Sequence, residues 1–493
     1  MTSCLDGEGG RSLNWTNIIG QTLELRQTLG KAMTASFYVE NFGCRATQAD
    51  GAAIERQFEE RGLVRAAAPA RSEIVILNTC TVTASADQDA RAAIRRIRRE
   101  NPGCQIVVTG CYAQRASEEV ASLPGVTCVV GNSHKHRLAE IVVASSGRDE
   151  RERITSQAGF VSLSSLMPEA RSEIFVSDIF AHTELLAAPV FDGAGIGTSN
   201  DRTRPNLKVQ DGCDNRCSFC VIPQVRGQSR SLPLSQVVSE VNALVSSGYR
   251  EVVISGINLG RWGRDLDKPL RFEDMIHAIL HRSSLEKLRI SSVEPMDWSD
   301  DLIGLMADSP RIAKHAHVPM QSGSDRVLRA MHRKYRPWHY REKLEKIREA
   351  IPTAAVGADV MVGFPGESEA DFEETRLLIE ELPFTYLHVF TYSSRPGTPS
   401  ALMRDQIPVQ VARERNRILR DLATRKKLAF MQSFVGKTVE AITLNVCDGK
   451  STEALTDNYL KLLMQGQHQP NQWMKARVEL VVDSTLIATH AAA

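Results

Sequence analysis

The sequence predicts an α/β protein with three parts: a doubly wound parallel α/β domain, a barrel or partial barrel, and a small all-β barrel. Two series of short apolar strands that alternate with amphipathic helices predict the first two parts. A final segment of alternating apolar strands, separated by turn residues, predicts the third part. The chain has 493 residues, 42% hydrophobic and 24% charged, which is enough for about three such cores.

The first series of strands and helices follows residues 1–34, which we expect to form a disordered or polar extension. Residues 35–146 are assigned to the doubly wound domain, because near-continuous apolar runs separated by helices are typical of parallel sheets. Residues 147–204 are rich in charges and serine and are predicted to be a linker. The predicted strands of this domain are Phe37–Val39, Ile74–Leu77, Ile106–Val108 and Val126–Val130.

The second series spans residues 205–432 and contains six predicted strands with helices between them. Six alternating units suit a barrel or partial barrel, whose chemistry lies at the carboxyl ends of the strands. Residues 433–493 then read as a small β-barrel of the nucleic-acid-binding kind. The six strands are predicted at Leu207–Gln210, Glu251–Ser255, Lys287–Ser291, Ala316–Val318, Ala358–Val362 and Thr385–Phe390.

Charge, hydropathy and cysteine content exclude several classes of protein. The 60 basic and 59 acidic residues nearly cancel, so the chain has no net field that would attract nucleic acid. No run of about 18 apolar residues predicts a membrane span, and no export signal is recognisable. Ten cysteines in such a chain point to a reducing cytoplasm, where cysteines are more often metal ligands or nucleophiles than disulfides.

Three cysteines lie on one short loop directly after the first strand of the predicted barrel. Cys213, Cys217 and Cys220 have the spacing C-x3-C-x2-C. Three thiolates this close together can bind three irons of a [4Fe-4S] cluster and leave the fourth iron open. The alternative is a structural zinc site, but such a site needs four ligands and the loop contains no fourth Cys or His.

Three further cysteines each follow a predicted strand of the first domain. Cys44, Cys80 and Cys111 are separated by about one strand–helix unit. Because parallel strands end at one edge of the sheet, the three thiols should converge there and form a second cluster site. The alternative is that they are small buried apolar residues. We expect the remaining four to have that ordinary role or to be inert surface thiols; they are Cys4, Cys104, Cys128 and Cys447.

The cysteine loop resembles the signature of the radical S-adenosylmethionine (SAM) enzymes, which have a partial (β/α)6 barrel. Its pairing with the strand-end cysteines resembles the methylthiotransferase family, over almost the whole chain from Phe37 onward. Residues 433–493 resemble the TRAM domain of that family. The matching motifs are Gly43-Cys44, Asn78–Cys80, Gly110–Gln114, Lys208–Cys213, Ile222-Pro223, Arg226-Gly227, Ser229–Ser231, Ser291–Pro295, His317–Ser324 and Asp359–Glu367.

The resemblance implies SAM and two [4Fe-4S] clusters as cofactors. It implies that SAM chelates the open iron of the cluster on the barrel loop and yields a radical that removes hydrogen from a C–H bond. The second cluster would then supply sulfur, and a second SAM the methyl group. No catalytic residue is nominated beyond the six cluster ligands. Ser292, Glu294 and Gln321 lie at predicted strand ends and either contact SAM or are solvated loop groups.

Basic and aromatic residues alternate from His332 to Trp338, and Arg333, Lys334 and Arg336 are therefore candidates for RNA contact. The C-terminal segment has five basic and six acidic residues and contributes little attraction for phosphate. The resemblance implies a tRNA substrate, a low-potential electron donor and a sulfur donor as partners, and we expect a monomer.

Ser255–Gly260 and Arg289–Pro295 look most like the branch that acts at C2 of N6-threonylcarbamoyladenosine beside the tRNA anticodon. The alternatives are methylthiolation of isopentenyl-adenosine in tRNA or of a ribosomal-protein aspartate. From another class, the chain could be a two-cluster electron carrier or an RNA-binding protein without catalysis. One departure from the family is Arg45–Gln48 after Cys44, where an Asn is usual.

Overall fold

The computed structural model describes residues 35–145, 172–182, 203–447 and 449–491. It contains an N-terminal parallel α/β domain, a partial (β/α)6 barrel and a closed C-terminal β-barrel, in this order along the chain. The predicted fold class is confirmed. Residues 1–34, Cys4 among them, and most of the predicted linker lie outside the described residues.

The N-terminal sheet has six parallel strands in the order β2-β1-β3-β4-β5-β6. Its central strand β3 is buried at all six positions, because the sheet is covered on both faces. The strands are β1 (Ser36–Asn41), β2 (Val64–Arg65), β3 (Ile74–Thr79), β4 (Gln105–Gly110), β5 (Val126–Gly131) and β6 (Glu173–Phe175).

Helices cover both faces of this sheet, as the doubly wound prediction requires. Helix Arg45–Glu59 and a helix over residues 138–145 pack on one face, and helices Ala84–Glu100, Cys111–Arg115 and Ser117–Ala121 on the other. The chain leaves β1 for β2 on one side and continues at β3 on the other side. This reversal opens a crevice between the carboxyl ends of β1 and β3, where doubly wound proteins bind ligands.

The predicted linker 147–204 contributes a strand, which the sequence pattern did not indicate. Its residues Glu173–Phe175 form β6, which pairs parallel with β5, and Ile179–Ala181 form a 3-10 turn. A strand of three half-buried residues at the edge of a sheet lacks the long apolar run that signals a central strand. The segment therefore belongs partly to the N-terminal sheet.

The barrel has six parallel strands, namely β7 and β9 to β13, and a two-residue antiparallel edge strand, β8. Isolated parallel bridges at Leu288–Ile312 and Ser292–His317 join its two sheets. No described pairing joins β7 to β13, so the barrel is partial rather than closed. The strands are β7 (Asn206–Asp211), β8 (Arg230–Ser231), β9 (Glu251–Gly256), β10 (Lys287–Ile290), β11 (His315–His317), β12 (Ala355–Val362) and β13 (Tyr386–Thr391).

Amphipathic helices surround these strands and bury their apolar faces in the largest core of the molecule. Trp262 and Trp298 are its two largest fully buried side chains. These helices are Leu234–Ser246, Phe272–Arg282, Asp300–Asp308, Asp325–Ala330, Pro337–Ala350, Glu369–Glu381 and Val409–Gln432, and a further short helix, Ile222–Arg226, packs outside this core.

The C-terminal segment forms a closed five-stranded barrel in the order β14-β15-β16-β18-β17. All pairs are antiparallel except β16 with β18. Arg289 of β10 donates hydrogen bonds to the carbonyl oxygens of Thr456 and Asp457, which attaches this barrel to the larger one. The strands are β14 (Thr438–Cys447), β15 (Ser451–Thr456), β16 (Lys461–Gln465), β17 (Trp473–Val482) and β18 (Thr485–His490).

Among the described residues, no helix combines the length and apolar character that crossing a membrane requires.

Replacing Gly110, at the end of β4, tests how tightly the edge of the N-terminal sheet is packed. Its φ is +98°, and a Cβ there would lie 2.3 Å from the backbone oxygen of Thr79. Gly110→Ala should therefore lower the free energy of unfolding by at least about 1–3 kcal/mol, measured by urea denaturation. Gly103→Ala is the matched control, since a Cβ at Gly103 meets no heavy atom within 4 Å. Equal effects of the two substitutions would contradict this reading of the edge.

Candidate functional site

Backbone hydrogen bonds hold the loop of Cys213, Cys217 and Cys220 at the end of β7. Gly212 begins the loop with a φ of +71°, and a Cβ there would lie 1.8 Å from the backbone oxygen of Gln228. Cys213 N donates to the oxygen of Gly227 at 3.0 Å, and Cys220 N donates to the oxygen of Cys217 at 3.1 Å. Only glycine fits at position 212, and the loop that follows is fixed rather than free.

The three thiols of this loop, which we call the barrel triad, lie close enough to affect one another's ionisation. Burial, followed by the charge of Cys217, raises the pKa of Cys220 to about 12. Burial, with a smaller contribution from Cys217, also raises the pKa of Cys213 to about 11. Thiols in this setting become thiolates only when a positive charge compensates them, and bound iron supplies such a charge.

Hydrogen-bond donors surround the sulfur atoms of the barrel triad. Arg333 Nη1 donates to Cys217 Sγ at 3.1 Å, and Asn258 Nδ2 donates to Cys213 Sγ at 3.6 Å. The backbone N–H of Asn215 donates to Cys213 Sγ at 3.4 Å. Hydrogen bonds to cluster sulfurs stabilise the anionic form and shift the reduction potential. Asn258 could not be predicted as a neighbour of Cys213, since it belongs to a loop 45 positions away in the chain.

The strand-end cysteines Cys44, Cys80 and Cys111 converge at the edge of the N-terminal sheet, after β1, β3 and β4, and we call them the sheet triad. A Cβ at Gly43 would lie 2.7 Å from Cys80 Cβ and 2.9 Å from Cys80 Sγ. Burial, followed by the charges of Cys111 and Cys44, raises the pKa of Cys80 to about 12. Cys44 and Cys80 therefore lie on either side of the crevice between β1 and β3.

The other described cysteines lie elsewhere. Cys104 and Cys128 are buried in the two apolar cores of the N-terminal domain, and Cys447 is exposed in the C-terminal barrel. Within the described part of the chain, no three His, Cys, Asp or Glu side chains are grouped to hold a single metal ion. In a cubane each thiolate binds a different iron, so its ligands stand further apart than those of one ion. The all-thiol donor set of each triad fits an iron–sulfur cluster.

A short helix connects the two triads. Helix Ile222–Arg226 begins two residues after Cys220, and its Val221 and Val225 pack against Cys111. Asn132 strengthens this contact, because its Nδ2 donates to the oxygen of Val225 at 2.7 Å and to Cys111 Sγ at 3.5 Å. The barrel triad and the sheet triad are thus neighbours across the boundary between the two domains.

Five charged side chains are buried at the same boundary, and we call them the interface network. Asp50 and Lys135 come from the N-terminal domain, and Lys208, Asp211 and Arg226 from the barrel. Arg226 bridges the two carboxylates, with nitrogen–oxygen distances of 3.0 Å to Asp50 and 2.9 Å to Asp211. Lys208 also contacts both carboxylates, and Lys135 Nζ lies 3.1 Å from Asp50.

Mutual attraction favours the charged forms of Asp50, Asp211, Lys208 and Arg226, whereas burial outweighs the attraction of Asp50 and lowers the pKa of Lys135. Burial acts to raise the pKa of Asp50, but Lys135, Lys208 and Arg226 outweigh it and lower that pKa. Burial acts to lower the pKa of Arg226, but Asp211, Cys111 and further acidic groups outweigh it and raise that pKa. Arg226 places a positive charge beside the sheet triad. This charge favours thiolates or an anionic cluster there.

The predicted SAM contacts Ser292, Glu294 and Gln321 all lie near the carboxyl-end mouth of the barrel. Glu294 is close enough to the barrel triad to raise the pKa of Cys213, and it forms a buried ion pair with Arg333. Ser292 Oγ lies 2.7 Å from His317 Nδ1. Gln321 has a φ of +62° and pairs through its backbone with β12.

The predicted RNA contacts do not share one environment. Arg333 is only 7% exposed and its guanidinium group is enclosed by Cys217, Glu294 and Tyr335. This placement argues against RNA contact by Arg333, because an enclosed guanidinium group cannot reach a phosphate. Arg336 is half-buried, and its Nε lies 3.1 Å from Asp325. Only Lys334 is exposed.

Comparison with known protein families gives two matches. Residues 36–131 match Uncharacterized protein family UPF0004, and residues 207–379 match the Radical SAM superfamily. The first range contains the sheet triad and the second contains the barrel triad.

The chain is also similar over most of its length to curated proteins. It is 35% identical to threonylcarbamoyladenosine tRNA methylthiotransferase MtaB of Bacillus subtilis, with 88% of this chain and 90% of that protein covered. The chain belongs to the radical SAM tRNA methylthiotransferases. It is an enzyme of a family that uses SAM and two [4Fe-4S] clusters.

Two further relatives represent both RNA branches of this methylthiotransferase family. MtaB of Aquifex aeolicus is 32% identical, with 89% of this chain and 99% of that protein covered. The tRNA-2-methylthio-N(6)-dimethylallyladenosine synthase of Saccharopolyspora erythraea is 34% identical, with coverages of 85% and 81%.

Solved structures with the same fold include the radical SAM methyltransferase TsrM from Kitasatospora setae. The methylthiotransferase chain matches TsrM with a TM-score of 0.54 at 15% identity, covering 75% of this chain and 77% of that one. At this identity the likeness establishes the arrangement of a parallel α/β domain before a radical SAM barrel.

Replacing Asp50 tests the interface network. Asp50→Asn leaves Lys135, Lys208 and Arg226 with Asp211 alone and should lower the free energy of unfolding by about 3–5 kcal/mol, measured by guanidinium denaturation at pH 7. A carboxyl group with a lowered folded-state pKa stabilises fully above its unfolded pKa of about 3.9 and loses this effect as pH falls through the folded value. The difference from wild type should therefore be the same at pH 7 and pH 5.

Asp301→Asn is the matched control for this test, because Asp301 forms an exposed ion pair with Arg271 at 2.8 Å. It should leave the denaturation midpoint unchanged. A loss in Asp50→Asn no larger than in this control would mean that the interface network does not hold the two domains together.

Proposed function

We propose that this methylthiotransferase inserts a methylthio group at C2 of N6-threonylcarbamoyladenosine, next to the anticodon of tRNA. The observation that carries the proposal is the packing of helix Ile222–Arg226, which follows the barrel triad, against Cys111 of the sheet triad. A carbon activated at one triad can meet sulfur held at the other only when the two are neighbours. The MtaB relatives support the choice of nucleoside.

We assign the cofactors to the two triads. Cys213, Cys217 and Cys220 would hold the cluster whose open iron takes the amino and carboxylate groups of SAM, and Cys44, Cys80 and Cys111 would hold the auxiliary cluster. When bound, these groups supply the radical that removes hydrogen, the sulfur atom and the methyl group. No fourth cysteine joins either triad among the described residues, which leaves an open position at each.

The remaining residues of the site position the cluster ligands and the predicted SAM contacts. Arg333 joins the barrel triad to Glu294, so the cluster and the SAM contact move together. Ser292 bonds to His317, whose Nε2 lies 3.4 Å from Asp359, and this chain of contacts crosses the inside of the barrel. Thr47 Oγ1 lies 3.6 Å from Cys44 Sγ and provides a polar contact within the segment that departs from the family pattern.

Substrate and partners follow from the reaction. The splayed anticodon loop would enter at the barrel mouth, since its base must leave the stack before its C2 can react. Lys334 and the TRAM-like barrel are candidates for contact with the rest of the tRNA. The reaction also needs a low-potential electron donor and a sulfur donor, and we propose a cytoplasmic location because the substrate is tRNA. We propose a monomer.

The second candidate function is methylthiolation of isopentenyl-adenosine, because the dimethylallyladenosine synthases are about as similar in sequence. Nucleoside mass spectrometry of tRNA from a deletion strain separates the two functions. Loss of 2-methylthio-N6-threonylcarbamoyladenosine supports the proposal, and loss of the 2-methylthio isopentenyl nucleoside selects the second candidate. Unchanged tRNA would contradict both and leave the ribosomal-protein, electron-carrier and RNA-binding alternatives. A plasmid copy of the gene should restore the lost nucleoside.

Iron content tests the assignment of the six cysteines. Anaerobic reconstitution should give about eight irons per chain, because each triad binds one four-iron cluster. Replacing all three cysteines of either triad by alanine should lower the content to about four. Cys447→Ser is the matched control, since that thiol is exposed in the C-terminal barrel and should keep all the iron. Loss of all iron from either triple variant would mean that the two sites are not independent.

A further inference from the structure

Three arginines surround the ring of Tyr459 at the point where all three domains meet. Arg45 comes from the N-terminal domain, Arg204 from the segment just before β7, Arg289 from β10 of the barrel, and Tyr459 from the C-terminal barrel. The guanidinium carbons lie 5.6, 5.9 and 5.2 Å from the ring centre, in the order Arg45, Arg204 and Arg289. We call these four residues the arginine cluster.

One of the three arginines has a structural role. Arg289 is fully buried, its Nε donates to Glu251 at 2.6 Å, and its two other nitrogens donate to carbonyl oxygens of the C-terminal barrel. All of its donor groups therefore face protein acceptors. Its place in the arginine cluster is explained by domain attachment.

The other two arginines have few partners. Arg45 Nη2 donates to the hydroxyl oxygen of Tyr459 at 3.1 Å, and within the described part of the chain it has no carboxylate partner. Arg204 lies 3.6 Å from Glu251, which is already paired with Arg289. Both arginines thus keep donor groups available for a ligand.

The arginine cluster has more positive charge than its surroundings compensate. Arg204 and Arg289 share the carboxylate of Glu251, and Arg45 has no carboxylate partner among the described residues. The half-buried Asp457 faces Lys287 and Lys314 as well as Arg289. Burial lowers the pKa of Arg204, and repulsion by Arg289 and Arg45 acts in the same direction against the attraction of Glu251. A cluster with only a structural role would pair its charges, because burying an unpaired charge is costly. A bound anion would remove this cost.

The arginine cluster also lies beside the sheet triad. Arg45 directly follows Cys44 of the sheet triad, and both residues are accessible from outside. His315 is buried between Tyr459 and Tyr386, with its ring 4.9 Å from that of Tyr459 and its Nε2 2.7 Å from Tyr386 Oη. Burial and the nearby arginines lower the pKa of His315 well below its ordinary value, so its ring is neutral. The neutral rings of His315, Tyr386 and Tyr459 thus lie beside the positively charged arginines. This combination suits a purine with an anionic substituent.

We propose that Arg45 and Arg204 bind the carboxylate on the side chain of the substrate adenosine. This inference rests on the proposed function and adds the reason why an acidic side chain is selected over an isopentenyl group. The planar guanidinium group can bind a carboxylate through two parallel hydrogen bonds, and Tyr459 holds the two arginines side by side for it. An RNA phosphate has the same chemistry, so the test must separate the two anions.

The test measures binding of three anticodon stem-loops to the reconstituted enzyme by fluorescence anisotropy. One RNA carries threonylcarbamoyladenosine, the second carries its methyl ester, which removes the negative charge, and the third carries plain adenosine. The wild type should bind the acid about ten- to a hundredfold more tightly than the ester. Arg45→Gln and Arg204→Gln should each reduce this preference and leave the affinity for the plain RNA unchanged.

Control measurements show whether a lost preference for the acid results from a change confined to the arginine cluster. Arg282→Gln removes an exposed arginine at the end of helix Phe272–Arg282 and should keep the full preference. Iron content shows whether Arg45→Gln has disturbed Cys44. Arg204→Gln tests binding of the same substrate carboxylate at a residue that is not next to a cluster ligand in the sequence. Equal weakening of all three RNAs would identify a phosphate contact and overturn the proposal. An unchanged preference in both variants would overturn it as well.

Binding and product formation separate this inference from the proposed function. If the wild type prefers the acid and the two variants do not, the inference stands even when no methylthio nucleoside forms, and the proposed function fails alone. If threonylcarbamoyladenosine is methylthiolated by both variants with unchanged affinity, the proposed function stands and the inference fails. A wild type that binds the ester and the acid equally overturns the inference.

Discussion

The rest of the site depends on the bridge that Arg226 forms between Asp50 and Asp211. One carboxylate belongs to the N-terminal domain and the other to the strand that precedes the barrel triad, so this guanidinium group fixes the two domains in one relative position. Arg226 also ends the helix that packs on Cys111. Because buried charges tolerate little displacement, the distance between the triads is set by electrostatics as well as by packing.

The grouping of six cysteines into two triads could be predicted from the sequence because its signals are local, and their role as cluster ligands stays a prediction. The spacing of Cys213, Cys217 and Cys220 lies within eight residues, and each cysteine of the sheet triad follows an apolar strand. The strand periodicities likewise predicted the order of the three domains. Strand β6 was missed, because three edge residues with a glutamate among them carry no periodic signal.

The interface network and the role of Arg333 could not be predicted, because they depend on contacts between distant parts of the chain. Asp50 and Lys208 are 158 positions apart, and a single acidic residue on a helix is usually solvated. Arg333 lies in a run of alternating basic and aromatic residues, which is typical of RNA-binding surfaces. The same alternation also suits a buried arginine that stacks on Tyr335 and donates to Cys217.

The near-zero net charge, 60 basic against 59 acidic residues, describes the average of the chain and not its distribution. Helix Val409–Gln432 looks basic in sequence, yet Arg415 and Arg417 are paired with glutamates. By contrast, Arg226 and the arginine cluster keep positive charge inside the molecule. Charge in a partly enclosed site is screened less by salt than charge on a surface. An anionic substrate would therefore be attracted most strongly to the junction of the domains, where the sheet triad lies.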